Sequence, residues 1–136
     1  YRYQLKTNKL ETITQCGRHP YAIELANKQF IAVQLNNGNT TLVKLNAKGE
    51  FKQTITHKDS NTRFGQLALS PNKKRLAVST WHKQTGWGIE QYDLQTQQWL
   101  KPVNNRSSAF YPSYQSDNVL LSSANNTGVY NIYRNQ

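Results

Sequence analysis

Imidazole can serve as metal ligand, acid, base or charge switch, so the three histidines, His19, His57 and His82, are the most chemically versatile residues in this chain. Their separations of 38 and 25 residues match no metal-ligand signature. The single cysteine, Cys16, excludes an internal disulfide and any cysteine-based zinc cluster, and leaves the redox compartment open. The histidines therefore read as solvated loop side chains, and no metal is expected. Ser70-Pro71-Asn72-Lys73 spells Ser-x-x-Lys, a nucleophile pattern that needs a helix start and companion motifs, both missing from the sequence. Gly-x-Ser-x-Gly, His-Glu-x-x-His and a phosphate-cradling glycine loop are also absent. The acids Glu11, Glu24, Glu50, Asp59, Glu90, Asp93 and Asp117 are too dispersed in sequence to suggest a catalytic carboxylate pair. The expectation is a chain with no catalytic residues and no cofactor, which is not an enzyme in itself.

What positions these side chains is a repeat. Tyr3-Gln4-Leu5-Lys6-Thr7-Asn8-Lys9-Leu10 and Tyr92-Asp93-Leu94-Gln95-Thr96-Gln97-Gln98-Trp99 align in register. Val43 to Phe51 repeats the pattern with one extra residue, and Ile132 to Gln136 begins a fourth copy. The implied period of roughly 40 to 49 residues belongs to blade-type repeats. Between the copies lie short apolar runs punctuated by turn residues, and nothing has sustained helical periodicity, so the chain is all-β. Phe64 to Leu69, Arg75 to Trp81, Trp87 to Leu94 and Gln98 to Val103 form one antiparallel meander. Tyr21 to Leu25, Gln29 to Leu35, Thr40 to Leu45 and Phe51 to Thr56 form the preceding one. Ala109 to Tyr114, Asn118 to Ser123 and Val129 to Arg134 supply three strands of another, while Tyr1 to Lys6 and Leu10 to Cys16 match the last two strands of a unit. The organisation expected is one partial domain, with 1–17 closing a blade, 18–57 and 58–103 complete blades, and 104–136 a blade lacking its last strand. Apolar character on both faces of Leu67-Ala68-Leu69, Leu76-Ala77-Val78 and Val119-Leu120-Leu121 suits sheets covered on both sides.

The formal charge of +10 invites a nucleic-acid or anionic-polymer partner. Most lysines are scattered singly, and the Lys73-Lys74-Arg75 run sits between two strands, where solvated turn residues explain it. Nucleic-acid binding through this segment is therefore not favoured. No apolar run is long enough for a membrane helix. The lack of methionine and the direct opening on Tyr1-Arg2-Tyr3 suggest a segment of something longer.

The wording of Leu67-Ala68-Leu69-Ser70-Pro71-Asn72-Lys73-Lys74-Arg75-Leu76-Ala77-Val78-Ser79 resembles the TolB-type, WD-repeat-like propeller repeat, with its Ser-Pro-Asp-Gly-Lys turn between apolar strands. Gly86 to Leu94 and Gly128 to Tyr133 resemble that repeat's Gly-x-x-x-Ile-Tyr-x-x-Asp-Leu strand. Asn72-Lys73 replaces Asp-Gly, a departure that preserves turn chemistry. The resemblance implies antiparallel four-stranded blades of a β-propeller, here incomplete at about three blades' worth. It also implies that the missing surfaces are supplied by the remaining blades of a parent chain or by self-association as a homo-oligomer.

In such a fold alternate turns share a rim. Arg18, His19, His57, Arg63, His82, Lys83, Trp87 and Arg106, with Tyr111 close by, fall on one rim as a candidate recognition surface, and Lys73 falls on the other. Cross-strand packing is the competing explanation for Trp81 and Trp87. By fold analogy the expected function is a non-enzymatic protein-interaction or sensing module in a periplasmic or extracytoplasmic compartment. Its specific form would be the input domain of a membrane-anchored, winged-helix regulator of the CadC type. The alternatives are the propeller cap of a prolyl-oligopeptidase-type hydrolase and an electrostatic binder of nucleic acid or anionic polymer.

Overall fold

The computed structural model describes residues 1–14, 17–102, 108–125 and 127–135. Cys16 and Arg106 lie outside the described residues. All thirteen expected strands are present, and among the described residues there is no helix. The chain divides into two compact units, Tyr1–Ile55 and Thr56–Gln136.

In the first unit, β1 (Arg2–Gln4) pairs with β2 (Lys9–Glu11). An antiparallel sheet follows in the order β3 (Arg18–Glu24), β4 (Phe30–Asn36), β5 (Asn39–Leu45) and β6 (Phe51–Ile55). Phe30, Ala32, Val43 and Leu45 bury one of its faces against Ile13. Arg2 ties the short β1–β2 pair to this sheet through Glu24 at 2.9 Å and by lying 5.4 Å over the Phe30 ring. The Asn37-Gly38 turn has φ of 48° and 78°, the paired positive values of a tight hairpin.

The second unit holds two sheets. The first runs in order from β7 (Arg63–Leu69) through β8 (Arg75–His82) and β9 (Gly86–Asp93) to β10 (Gln98–Trp99). The second comprises β11 (Ala109–Ser116), β12 (Val119–Ala124) and β13 (Asn131–Asn135). Ala77 and Ile89 of one sheet pack with Ala109, Leu120 and Ala124 of the other, joined by the half-buried Ala68, Tyr114 and Tyr133. Two polar contacts span the same pair of sheets: Tyr114 donates to Gln91 Oε1 at 2.8 Å, and the Asn72 amide donates to Asp117 Oδ1 at 2.8 Å. Among the described residues β13 pairs with β12 alone, and its Ile132 is 80% exposed.

The repeated sequence positions are repeated conformations. Asn8, Gly49 and Gln97, which occupy equivalent places in the three hairpins, have φ of 51°, 81° and 57°. Lys28 and Lys73, each following an asparagine after an apolar strand, have φ of 62° and 60°. In the Lys73 turn, Ser70 Oγ accepts the Arg75 amide at 3.0 Å, and Asn72 Oδ1 accepts the Lys74 amide at 3.0 Å. These side-chain bonds hold a lysine in the left-handed region, at a cost of about 1 to 2 kcal/mol relative to glycine. Lys73→Gly should therefore raise the stability of the second unit by about 0.5 to 1 kcal/mol, and the β-branched Lys73→Val should lower it. Urea unfolding followed by tryptophan fluorescence reads this unit selectively, because all three tryptophans lie within it.

The first strand of every blade carries the same irregularity. Register shifts occur between Arg18 and Tyr21, between Phe64 and Leu67, and between Phe110 and Ser113. His19-Pro20, Gly65-Gln66 and Tyr111-Pro112 occupy these bulges, where the missing proline amide removes no ladder bond. The bulge also lets the strand expected from Tyr21 begin earlier, since β3 already starts at Arg18. Conversely, β10 ends at Trp99, well short of Val103. Leu100 makes one further bond to the Gln91 carbonyl before Pro102 removes a donor.

Candidate functional site

Antiparallel alternation sends the start of β7, the end of β8 and the start of β9 to one end of their sheet. The loop 56–62, which precedes β7, arrives at the same end. On β9, Glu90 stands directly across from Val78, which has no exposed surface. A carboxylate in that position must find hydrogen-bond donors. It finds two histidines: His57 Nε2 lies 3.2 Å from Glu90 Oε1, and His82 Nε2 lies 2.9 Å from Oε2. The two rings are 5.0 Å apart, and the edge of Trp99 closes over His57 at 5.0 Å. Trp99 is held in turn by Phe64, by Tyr92 and by a 2.8 Å bond from its Nε1 to the Thr56 carbonyl.

The outer ring nitrogens are also engaged. Thr62 Oγ1 lies 3.0 Å from His57 Nδ1 and 3.2 Å from His82 Nδ1, and Asp59 Oδ2 lies 3.4 Å from His82 Nδ1. The Asp59 amide donates to His57 Nδ1 at 3.1 Å. A backbone N–H can only donate, so this bond assigns the His57 hydrogen to Nε2, facing Glu90. His82 lies between two carboxylates, with Glu90 at its Nε2 and Asp59 at its Nδ1. Burial pushes the Glu90 carboxyl up. The hydrogen bond from His82, together with the charge and hydrogen bond of His57, outweighs that effect and holds it below the ordinary glutamate value. The result is a clasp that fastens loop 56–62 to β8 and β9 through one shared carboxylate.

This arrangement corrects the reading of the histidines as solvated loop groups. The His57 side chain is 10% exposed and that of His82 is 23% exposed. His19 lies apart in the first unit, half-buried in a cleft of about 490 Å³ lined also by Gln34, Lys48, Glu50 and Phe51. Desolvation there lowers the His19 pKa. Arg18 is exposed on the same strand.

On the opposite face of the β7–β10 sheet the aromatic residues assemble. Trp87 sits 5.5 Å from Phe110, which is 6.3 Å from Tyr111 and 6.4 Å from Tyr130. Trp87 reaches this position because Gly65 has no side chain: a Cβ there would come within 3.1 Å of the indole ring. Arg63 lies 5.3 Å over Trp81, its cross-strand neighbour. Tyr111 occupies the β11 bulge with φ of 53° and is 68% exposed, and Tyr130 is 56% exposed. Lys83 is exposed in the β8–β9 turn. Of the residues singled out in the sequence, the structure therefore joins His57 with His82, and separately joins Trp87 with Tyr111 through Phe110. Trp81 and Trp87 do face one another across the β8–β9 ladder. Glu90, Thr62, Asp59 and Trp99 were not anticipated, although an acid in the middle of an apolar strand was a visible signal for Glu90.

No family model and no curated protein sequence matches the chain. Solved structures with the same fold do. The β-propeller domain of Cps50 (Swd1) from Myceliophteria thermophila superposes with a TM-score of 0.62 at 11% identity, covering 92% of this chain and 41% of that one. A putative TolB from Agrobacterium tumefaciens superposes with a TM-score of 0.61 at 16% identity, covering 79% of this chain and 38% of that one. The chain thus spans about two-fifths of the length of these propellers, and its sheets are antiparallel propeller blades.

Proposed function

We propose that the chain is a non-enzymatic protein-interaction segment of a TolB-like or WD-repeat-like β-propeller, and that it engages its partner through the rim carrying Trp87, Phe110, Tyr111 and Tyr130. The observation that carries this reading is Tyr111, a bulky residue held at φ of 53° with 68% of its surface exposed. Such a conformation costs about 1 to 3 kcal/mol, and a ring that is mostly exposed and reaches Phe110 at 6.3 Å recovers little of it by packing. Bulges re-aim side chains beside functional surfaces, and tyrosine is among the strongest interface anchors. A partner that packs onto both tyrosines recovers the strain as contact.

The particular form we favour is an extracytoplasmic sensing or input domain, in which partner binding at the rim is the signal received. Among the described residues no helix is long and apolar enough to cross a membrane. Tyr111→Ala combined with Tyr130→Ala should weaken capture of the physiological partner by about 2 kcal/mol or more, roughly thirtyfold in Kd. The unfolding midpoint should stay within a degree or two of wild type. Undiminished affinity in the double variant would place the interface elsewhere.

A further inference from the structure

We propose that His57, His82 and Glu90 form a binding site for a divalent transition-metal ion of the zinc class. One ligand atom from each of the three lies within 4.8 Å of the others. Tetrahedral zinc with bonds of about 2.0 Å places neighbouring ligand atoms about 3.3 Å apart. A single oxygen, Glu90 Oε2, lies 3.2 Å from His57 Nε2 and 2.9 Å from His82 Nε2, two such edges contracted by a few tenths of an ångström at most. Two imidazoles and a carboxylate make a borderline-hard donor set suited to zinc, with a fourth position left for water or an incoming group. The ligands are already desolvated and oriented, since Glu90 is 8% exposed and Trp99 covers His57.

The outer shell has the form such a site requires. A ligating histidine donates its other ring hydrogen to an oxygen, which fixes the tautomer. Thr62 Oγ1 lies within 3.2 Å of both Nδ1 atoms and has two lone pairs, enough to accept from each ring. Asp59 Oδ2 offers His82 a second acceptor. Binding places the Nδ1 hydrogen of each ring toward Thr62 Oγ1, which for His57 means moving its hydrogen from Nε2 to Nδ1. The Asp59 amide gives up its bond to His57, which makes the metal-free clasp the state that zinc must displace.

Calorimetric titration of the chelator-stripped full chain with zinc chloride is expected to show one ion per chain. Cobalt(II) in place of zinc should give the intense visible bands of a four-coordinate site. His57→Ala and His82→Ala should each weaken binding by tenfold or more, while His19→Ala leaves it unchanged. Should the clasp variants fail to fold, the imidazole NMR signals of the wild-type protein still decide: zinc should shift those of His57 and His82 and leave His19 alone. Absence of binding heat in the wild type overturns the proposal, as does zinc that moves the His19 signals instead.

Discussion

Glu90→Ala is expected to destabilise the Thr56–Gln136 unit by about 3 kcal/mol or more, because it removes the acceptor shared by two largely buried imidazoles. Both rings then face a cavity with hydrogen-bond donors that nothing satisfies, and the loop carrying His57, Asp59 and Thr62 loses its attachment to β9. Glu90→Leu, which fills the volume without charge, should cost less, since an apolar replacement of similar size leaves no cavity. Tryptophan fluorescence is a direct reporter, because the Trp99 ring lies against His57. The effect should also depend on pH. The folded-state Glu90 carboxyl is more acidic than the ordinary value of 4.5, so its contribution is fully present above that pH. It is lost as pH falls through the lower folded value. The stability difference between wild type and Glu90→Leu in metal-free protein should therefore narrow as pH falls below about 4.5.

Gly49→Ala is expected to have a comparably large effect on the Tyr1–Ile55 unit. Gly49 has φ of 81°, and an added Cβ would lie 1.9 Å from the Ile13 carbonyl oxygen. The obstacle is backbone rather than a flexible side-chain tip, so the 12–14 segment must move away. Ile13 is the residue that packs on Phe30, Ala32, Val43 and Leu45, so that movement opens the unit's apolar cluster. The left-handed conformation costs about 1 to 2 kcal/mol for alanine, and loss of the Ile13 contacts adds about 1 to 3 kcal/mol. Native-state hydrogen exchange should show the β4 and β5 amides losing protection, with β8 and β9 amides unchanged. Gln97→Gly, at the equivalent position of a hairpin that already tolerates a side chain, should be neutral or mildly stabilising.

The contrast between Gly49 and Gln97 shows what kind of information the sequence carried. Strand positions were legible because apolar runs, turn residues and the repeat all act locally. Asn37-Gly38 and the asparagine-lysine turns announce their own geometry. The bulges at His19, Gly65 and Tyr111 were not legible. A one-residue irregularity changes neither composition nor period, and prolines mark only two of the three. The clasp was the least legible feature. His57 and Glu90 are 33 residues apart and meet only when the β8–β9 register and the loop before β7 are both fixed. Sequence spacing treated the acids as dispersed, yet antiparallel pairing placed Glu90 beside one histidine and Asp59 beside the other nitrogen of the same ring. Trp99 read as the closing apolar residue of a repeat, which it is, and it also covers that histidine pair.

The central functional claim is that the rim bearing Tyr111 receives the partner and the rim bearing Lys73 does not. Site-specific photo-crosslinking tests this most directly, with a benzophenone amino acid placed at position 111 in one protein and at position 73 in another, each exposed to the native cellular milieu. The account predicts one discrete crosslinked protein from position 111 and none from position 73. Equal crosslinking from both positions, or crosslinking confined to position 73, would contradict it.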